Sequence, residues 1–252
     1  MAEDDAVLEV HDDGRVRICR FNRPDALNAF DQELWEALTD ALETAAGRDT
    51  THSVVLTGNG RAFCAGQDLA EMAEPEKLAA LETPGYALLM PVLEAFPKPL
   101  LAAVNGVGVG IGMTMLPHCD VVYIARSARL KAPFASLGVT TEAASSITLP
   151  ATMGWQRAAH TLFTEPWLSA EDGVRWGLAL EVVDDDQVVA RTIDEAHRIA
   201  AFALAPLLAT KRLLVQGRLD AIRRARAREE AEFATLIGEA ANAAALADYR
   251  PG

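Results

Sequence analysis

The sequence predicts an α/β fold wound as a spiral of related turns, followed by a helical C-terminal region. Three observations carry this expectation. A short β-branched strand over residues 52–57 runs into the Gly-rich stretch GNGRAFCAGQDL. A second apolar strand, over 100–104, runs into another, NGVGVGIGMTML. Strand, Gly-rich turn and helix thus occur twice in one order, as a repeated supersecondary unit does. From about Gly154 onward the periodicity is helical.

The remaining elements follow in chain order. Residues 7–21 alternate apolar and polar around Asp12, Asp13 and Gly14, which reads as a β-hairpin. RPDALNAF over 23–30 is a turn, and Leu34, Trp35, Leu38 and Leu42 give the helix over 31–46 its apolar stripe. The charged, Ala-rich residues 70–81 predict a surface helix, and 86–96 an apolar helix ended by PKP. Residues 120–125 and 129–133 read as a further strand pair. A helix starts at Ser169, breaks at Gly177 and leads to a short strand ending at Val183. Two long helices are expected over 185–205 and 209–246, with an Arg-rich middle. The domain expectation is a spiral core over 1–194 and a helical subdomain over 195–252.

With 252 residues, half of them hydrophobic, the chain has material for a sizeable core. A net charge of −13 argues against nucleic acid as the main partner, so a phosphorylated ligand would require a local cationic patch. Cys19, Cys64 and Cys119 are odd in number and far apart, which predicts a reduced compartment and no metal site. The first ten residues lack the basic and apolar segments of a signal peptide, and Gly, Pro or charge interrupts each apolar run. The expectation is a cytoplasmic protein that does not span a membrane.

Gly-rich strand-to-helix turns present backbone N–H groups to an anion. If the turns at residues 63–67 and 108–112 face each other, their amides form an oxyanion hole. The glycines match neither the GxGxxG nor the GxxxxGK[ST] spacing, and no GxSxG elbow is present. His11, His52, His118, His160 and His197 show no metal-ligand pattern and read as surface or satisfied core residues. Cys64 lies in the first turn without a basic neighbour and reads as packing. One carboxylate has apolar surroundings and no nearby cation in sequence: Glu142, in LGVTTEAASSITLP. It is either a first-turn helix residue behind the caps Thr140 and Thr141 or a proton carrier, and the helix dipole would favour its ionised form.

RPDALNAF, VVLTGNGRAFCAGQDL and AAVNGVGVGIGMTML, in this order and spacing, resemble the crotonase (enoyl-CoA hydratase/isomerase) superfamily over nearly the whole chain. The resemblance implies an α/β crotonase-like spiral of ββα turns with a helical C-terminal trimerisation region, assembled as a homotrimer or dimer of trimers. It implies an acyl-CoA thioester as partner and no separate cofactor, since coenzyme A is part of the substrate. The two enolate-holding amides fall on Ala65 and Ile111. Substrate and CoA contacts fall on Asp25, Ala26 and Leu27, on Gly66, Gln67, Asp68 and Leu69, and on Gly110, Leu137, Lys211 and Phe233. The two glutamates of the hydratases match Thr114 and Phe134, which also belong to the expected pocket but transfer no proton near neutral pH. PFASLGVTTEAASS instead is similar to the segment in which peroxisomal-type Δ3,Δ2-enoyl-CoA isomerases carry their glutamate, which here is Glu142. Ring-opening isomerases and aryl-CoA dehalogenases have an acidic residue at the same place. The resemblance therefore implies an isomerase acting on a 3-enoyl-CoA, with a hydratase, another acyl-CoA reaction or a non-catalytic acyl-CoA-binding protein as alternatives. Many relatives also extend beyond the DYRPG with which this sequence ends.

Overall fold

A computed structural model describes residues 6–73 and 83–247. β1 (Leu8–Asp13) and β2 (Val16–Phe21) form the expected hairpin, with Gly14 at φ +60° in the turn, a conformation that costs glycine little. β3 (Ser53–Gly58), β5 (Leu100–Val104), β7 (Val121–Ala125) and β10 (Glu181–Val183) extend this hairpin into one sheet. Its order is β1-β2-β3-β5-β7-β10, parallel beyond the hairpin. β4 (Ala62–Cys64), β6 (Val107–Val109), β8 (Arg129–Lys131) and β9 (Leu168–Ser169) form a second sheet in that order.

The chain passes from the larger sheet to the smaller one three times, at β3 to β4, β5 to β6 and β7 to β8. The repeat seen in sequence therefore has a third copy, without a Gly-rich turn to mark it. The strands expected as a pair over 120–133 do not pair with each other. β7 lies between β5 and β10, whereas β8 lies between β6 and β9.

The helices are α1 (Gln32–Gly47), α2 (Leu69–Met72), α3 (Gly85–Glu94), α4 (Ile111–Thr114), α5 (Ser145–Met153) and α6 (Trp155–Thr164). They continue as α7 (Ala170–Arg175), α8 (Val188–Ala200), α9 (Leu204–Gln216), α10 (Leu219–Leu236) and α11 (Ala240–Ala247). Asp31 caps α1 by accepting from Leu34 N–H, and its predicted apolar stripe is buried. A Cβ at Gly85 would lie 2.2 Å from Trp35 Cβ, so α3 reaches α1 only because that residue is glycine. Ser169 and Asp172 close a capping box on α7. Of the surface helix expected over 70–81, α2 is the described part, and residues 74–82 lie outside the described residues.

The C-terminal half corrects two expectations. The two long helices are four. Pro206, which lacks an N–H and suits a first helical turn, lets the chain restart as α9, and left-handed Gly238 follows the end of α10. The boundary near Asp194 falls inside α8, whose Ala196 and Ala200 pack with Val16, Ile18, Val55 and Leu101 of the larger sheet. That helix belongs to the core, and a cut there would expose the sheet. Among the described residues, no single helix is long and apolar enough to cross a membrane.

Candidate active site

The two Gly-rich turns meet, as the spiral requires. β4 pairs in parallel with β6, which brings the ends of both strands to one edge of the smaller sheet. Gly66 (φ +102°) and Gly110 (φ +53°) then touch: a Cβ on Gly110 would sit 3.6 Å from Gly66 Cα, and one on Gly66 3.2 Å from Val109 O.

The amides available at this junction differ from the expected pair. Ala65 N–H donates to Leu27 O at 3.0 Å, which engages it within the fold. This corrects Ala65 as a free donor. Two residues on, Phe30 bridges the strand-like segment through Gly66 O (2.7 Å) and Asp68 N–H (2.9 Å), turning Gln67 N–H the other way. Gln67 N–H has no acceptor among the described residues, and neither has Ile111 N–H at the first position of α4. Both residues line a cavity of about 560 Å³. Its apolar wall includes Trp35, Tyr86, Phe134, Leu137, Phe233 and Ile237.

Glu142 also lines this cavity, but not from a helix. α5 begins three residues later, at Ser145, and Ala143 and Ala144 intervene with φ of +58° and +57°. The expected placement in a first helical turn, with a dipole holding the ionised form, is therefore corrected. Oε1 accepts from Thr114 Oγ1 at 2.7 Å, and Oε2 has no partner among the described residues. Burial pushes the carboxyl up to about 7; the Thr114 hydroxyl opposes this and the Glu229 carboxylate adds to it. A group so placed both takes and returns a proton near neutrality.

The turn behind Glu142 is held from three elements. Ala143 N–H donates to Tyr86 Oη of α3 at 2.8 Å. His118, at the end of the short 3-10 turn Leu116–His118, lies 2.9 Å from Ala143 O through Nε2. Glu229 of α10 accepts from Ala144 N–H (2.6 Å) and Ser146 N–H (2.8 Å). Tyr86, His118 and Glu229 were not singled out as site residues in the sequence, because their partners are backbone atoms that become neighbours only on folding.

Other lining carboxylates are already engaged. Glu71 accepts from Gln32 N–H (3.1 Å) and Gln67 Nε2 (3.0 Å), while Gln67 Oε1 accepts from Trp35 Nε1 at 2.9 Å. Glu230 pairs with Arg226 at 2.6 Å, and Arg226 also holds buried Glu94 at 2.7 Å. Cys64 is buried, with its thiol pushed up to about 12, in keeping with a packing role.

Of the expected contact residues, Gly66, Gln67, Leu69, Gly110, Ile111, Phe134, Leu137 and Phe233 line the cavity. Thr114 reaches it through Glu142. Asp25 and Ala26 form a 3-10 turn away from the lining, and Leu27 serves it only as the acceptor for Ala65. Asp68 caps α2 and pairs with Arg23 at 3.0 Å. Lys211 is a correction: it is 4% exposed, and its ammonium pairs with Asp120 Oδ2 at 2.5 Å, so it is not free for a phosphate.

Comparison with known proteins agrees with this architecture. The enoyl-CoA hydratase/isomerase family profile matches residues 12–249. The chain is 35% identical over 196 residues to a 1,2-epoxyphenylacetyl-CoA isomerase of Escherichia coli K12, covering 75% of this chain and 73% of that protein. It is 35% identical over 223 residues to a 2,3-dehydroadipyl-CoA hydratase of the same organism, covering 88% and 87%. The crystal structure of an enoyl-CoA hydratase/isomerase from Pseudoalteromonas atlantica T6c superposes with a TM-score of 0.92 at 34% identity, over 96% of this chain and 95% of that one. With two facing Gly-rich turns, a spiral of paired strands and this profile, the chain belongs to the enoyl-CoA hydratase/isomerase family.

Proposed function

We propose that the protein is an isomerase that moves the double bond of a 3-enoyl-CoA to the 2-position, with Glu142 as the only proton carrier. The observation that carries this reading is the state of the cavity carboxylates. Glu71 and Glu229 accept from backbone amides and Glu230 from an arginine, whereas Glu142 has, among the described residues, one hydroxyl partner and one oxygen without a partner.

In this mechanism ionised Glu142 removes a proton from C2, and the electron pair moves into the thioester to give a dienolate. Gln67 N–H and Ile111 N–H hold the developing oxyanion; one such donor contributes on the order of 3–4 kcal/mol. The carboxyl then returns the proton to C4, C2 and C3 become doubly bonded, and Glu142 is regenerated. Hydration by two carboxylates is disfavoured because Thr114 and Phe134 occupy the places of the hydratase pair. A closed trimer belongs to the same reading, with Trp155, Phe163 and Trp167 among the exposed apolar residues such an assembly would cover.

Incubation with a panel of 3-enoyl-, 2-enoyl- and aromatic acyl-CoAs tests the assignment by product. Glu142→Gln keeps the shape and removes the basicity, and a loss of about 10³-fold in turnover is expected. Turnover within a few-fold of the parent would sink the assignment.

A further inference from the structure

His118 is a buried titratable group that the proposed chemistry does not use. It is 1% exposed, and the single hydrogen-bond partner of its ring among the described residues is the carbonyl of Ala143, the residue after Glu142. A carbonyl only accepts, so Nε2 carries the proton and donates. Nδ1 has no partner among the described residues, although a buried nitrogen ordinarily finds one. The group is therefore held as one fixed donor. Burial lowers its basicity to about 4, opposed by the bond to Ala143 and aided by Arg218, Lys211 and Arg226, so the ring is neutral near pH 7.

The bond falls on a strained part of the backbone. Two consecutive non-glycine residues in the left-handed region are costly, and such a pair persists only where its surroundings over-determine it. The Ala143 peptide groups are fixed on both sides, by Tyr86 Oη at N–H and by His118 at C=O, and Glu229 fixes the next amide. This pair decides where the chain leaves Glu142 and where α5 starts.

We propose that His118 is a positioning residue: its neutral Nε2–H holds the left-handed Ala143–Ala144 turn and so aims Glu142 at the substrate. The proposal rests on Glu142 being the proton carrier. It assigns His118 no contact with substrate. Losing the donor lets the turn relax toward ordinary backbone, which displaces the carboxylate without emptying the binding cavity. A displacement near 1 Å costs about 100-fold in rate.

The test uses His118→Leu, His118→Asn and His118→Gln in the full chain, with turnover of a 3-enoyl-CoA and exchange of its C2 protons into D2O as readouts. Gln extends an amide N–H to the place of Nε2, whereas Asn is one methylene shorter and Leu has no donor. The expected result is a kcat about 10- to 100-fold lower for Leu and Asn with KM changed less than about threefold, and a kcat near the parent for Gln. Adding Ala143→Gly to the Asn or Leu variant should recover part of kcat, because glycine adopts the left-handed conformation without strain. Equal kcat across the three variants, or a loss that neither Gln nor Ala143→Gly restores, overturns the proposal in favour of simple packing. If Leu fails to fold, the Asn–Gln contrast decides. Glu142→Gln run alongside separates the two claims, since its retention of activity removes the proton carrier itself, whatever His118 does.

Discussion

Thr114 Oγ1 donates to Glu142 Oε1 across 2.7 Å, so the one polar side chain that touches the candidate base among the described residues is itself uncharged. The hydroxyl steadies the carboxylate and limits a rise in proton affinity that burial causes. Proton abstraction requires the ionised form. The kcat/KM of the isomerisation should therefore rise with pH through about 7 and level off above it. Thr114→Val removes a bond that favours the ionised form, and should shift that rise to higher pH. A pH–rate profile of both proteins checks the sign, and an unmoved or lowered midpoint in the variant contradicts it.

Glu229 acts on the same group in the opposite sense. Its carboxylate faces the turn after Glu142 and raises that residue's proton affinity by like charge. Glu229→Gln should move the acid limb to lower pH, while weakening the anchoring of Ala144 and Ser146 by about 1 kcal/mol. Measuring the limb and the unfolding free energy together separates tuning from anchoring.

Burying Glu142 has a thermodynamic sign as well. Its folded-state pKa of about 7 lies above the ordinary 4.5, so the folded chain binds more protons than the unfolded chain between these values. Its contribution to stability is present below about pH 4.5, falls as pH rises through the folded pKa, and is a fixed cost above it. Glu142→Gln should accordingly stabilise the fold by about 1–3 kcal/mol at pH 8, and by less at pH 5. Urea unfolding at the two pH values reads the difference.

Lys211 offers a test of a different kind. Its ammonium and the amide of Leu100 are the partners of Asp120 Oδ2. Lys211→Met should lower stability by about 1–3 kcal/mol, because it leaves a partly buried carboxylate underpaired. It should change KM for a CoA thioester by less than about threefold. A large rise in KM without loss of stability would restore the phosphate-contact role.

The parts of the molecule readable from sequence are those written in local pattern. The hairpin at Gly14, the α1 stripe and the two Gly-rich turns depend on neighbours within a few residues, and period and composition reveal them. The candidate site was legible as a carboxylate plus two turns. Its fine geometry was not, because it depends on long-range backbone partners. Ala65 is engaged by Leu27, thirty-eight positions earlier, and nothing in GRAFCAGQDL announces that bond. Likewise TTEAASS reads as a capped helix start, since the left-handed alanines that delay α5 are imposed by Tyr86, His118 and Glu229 from elsewhere in the chain.

The three passages between the two sheets have a consequence for how such a protein changes its chemistry. Gln67 follows the first passage, Ile111 the second, and Glu142 the third. In the proposed mechanism, the groups that hold the thioester and the group that moves the proton therefore belong to separate windings of the coil. A substitution in the winding that carries Glu142 can therefore alter that group while the β4–β6 pairing that brings the two amides together stays intact.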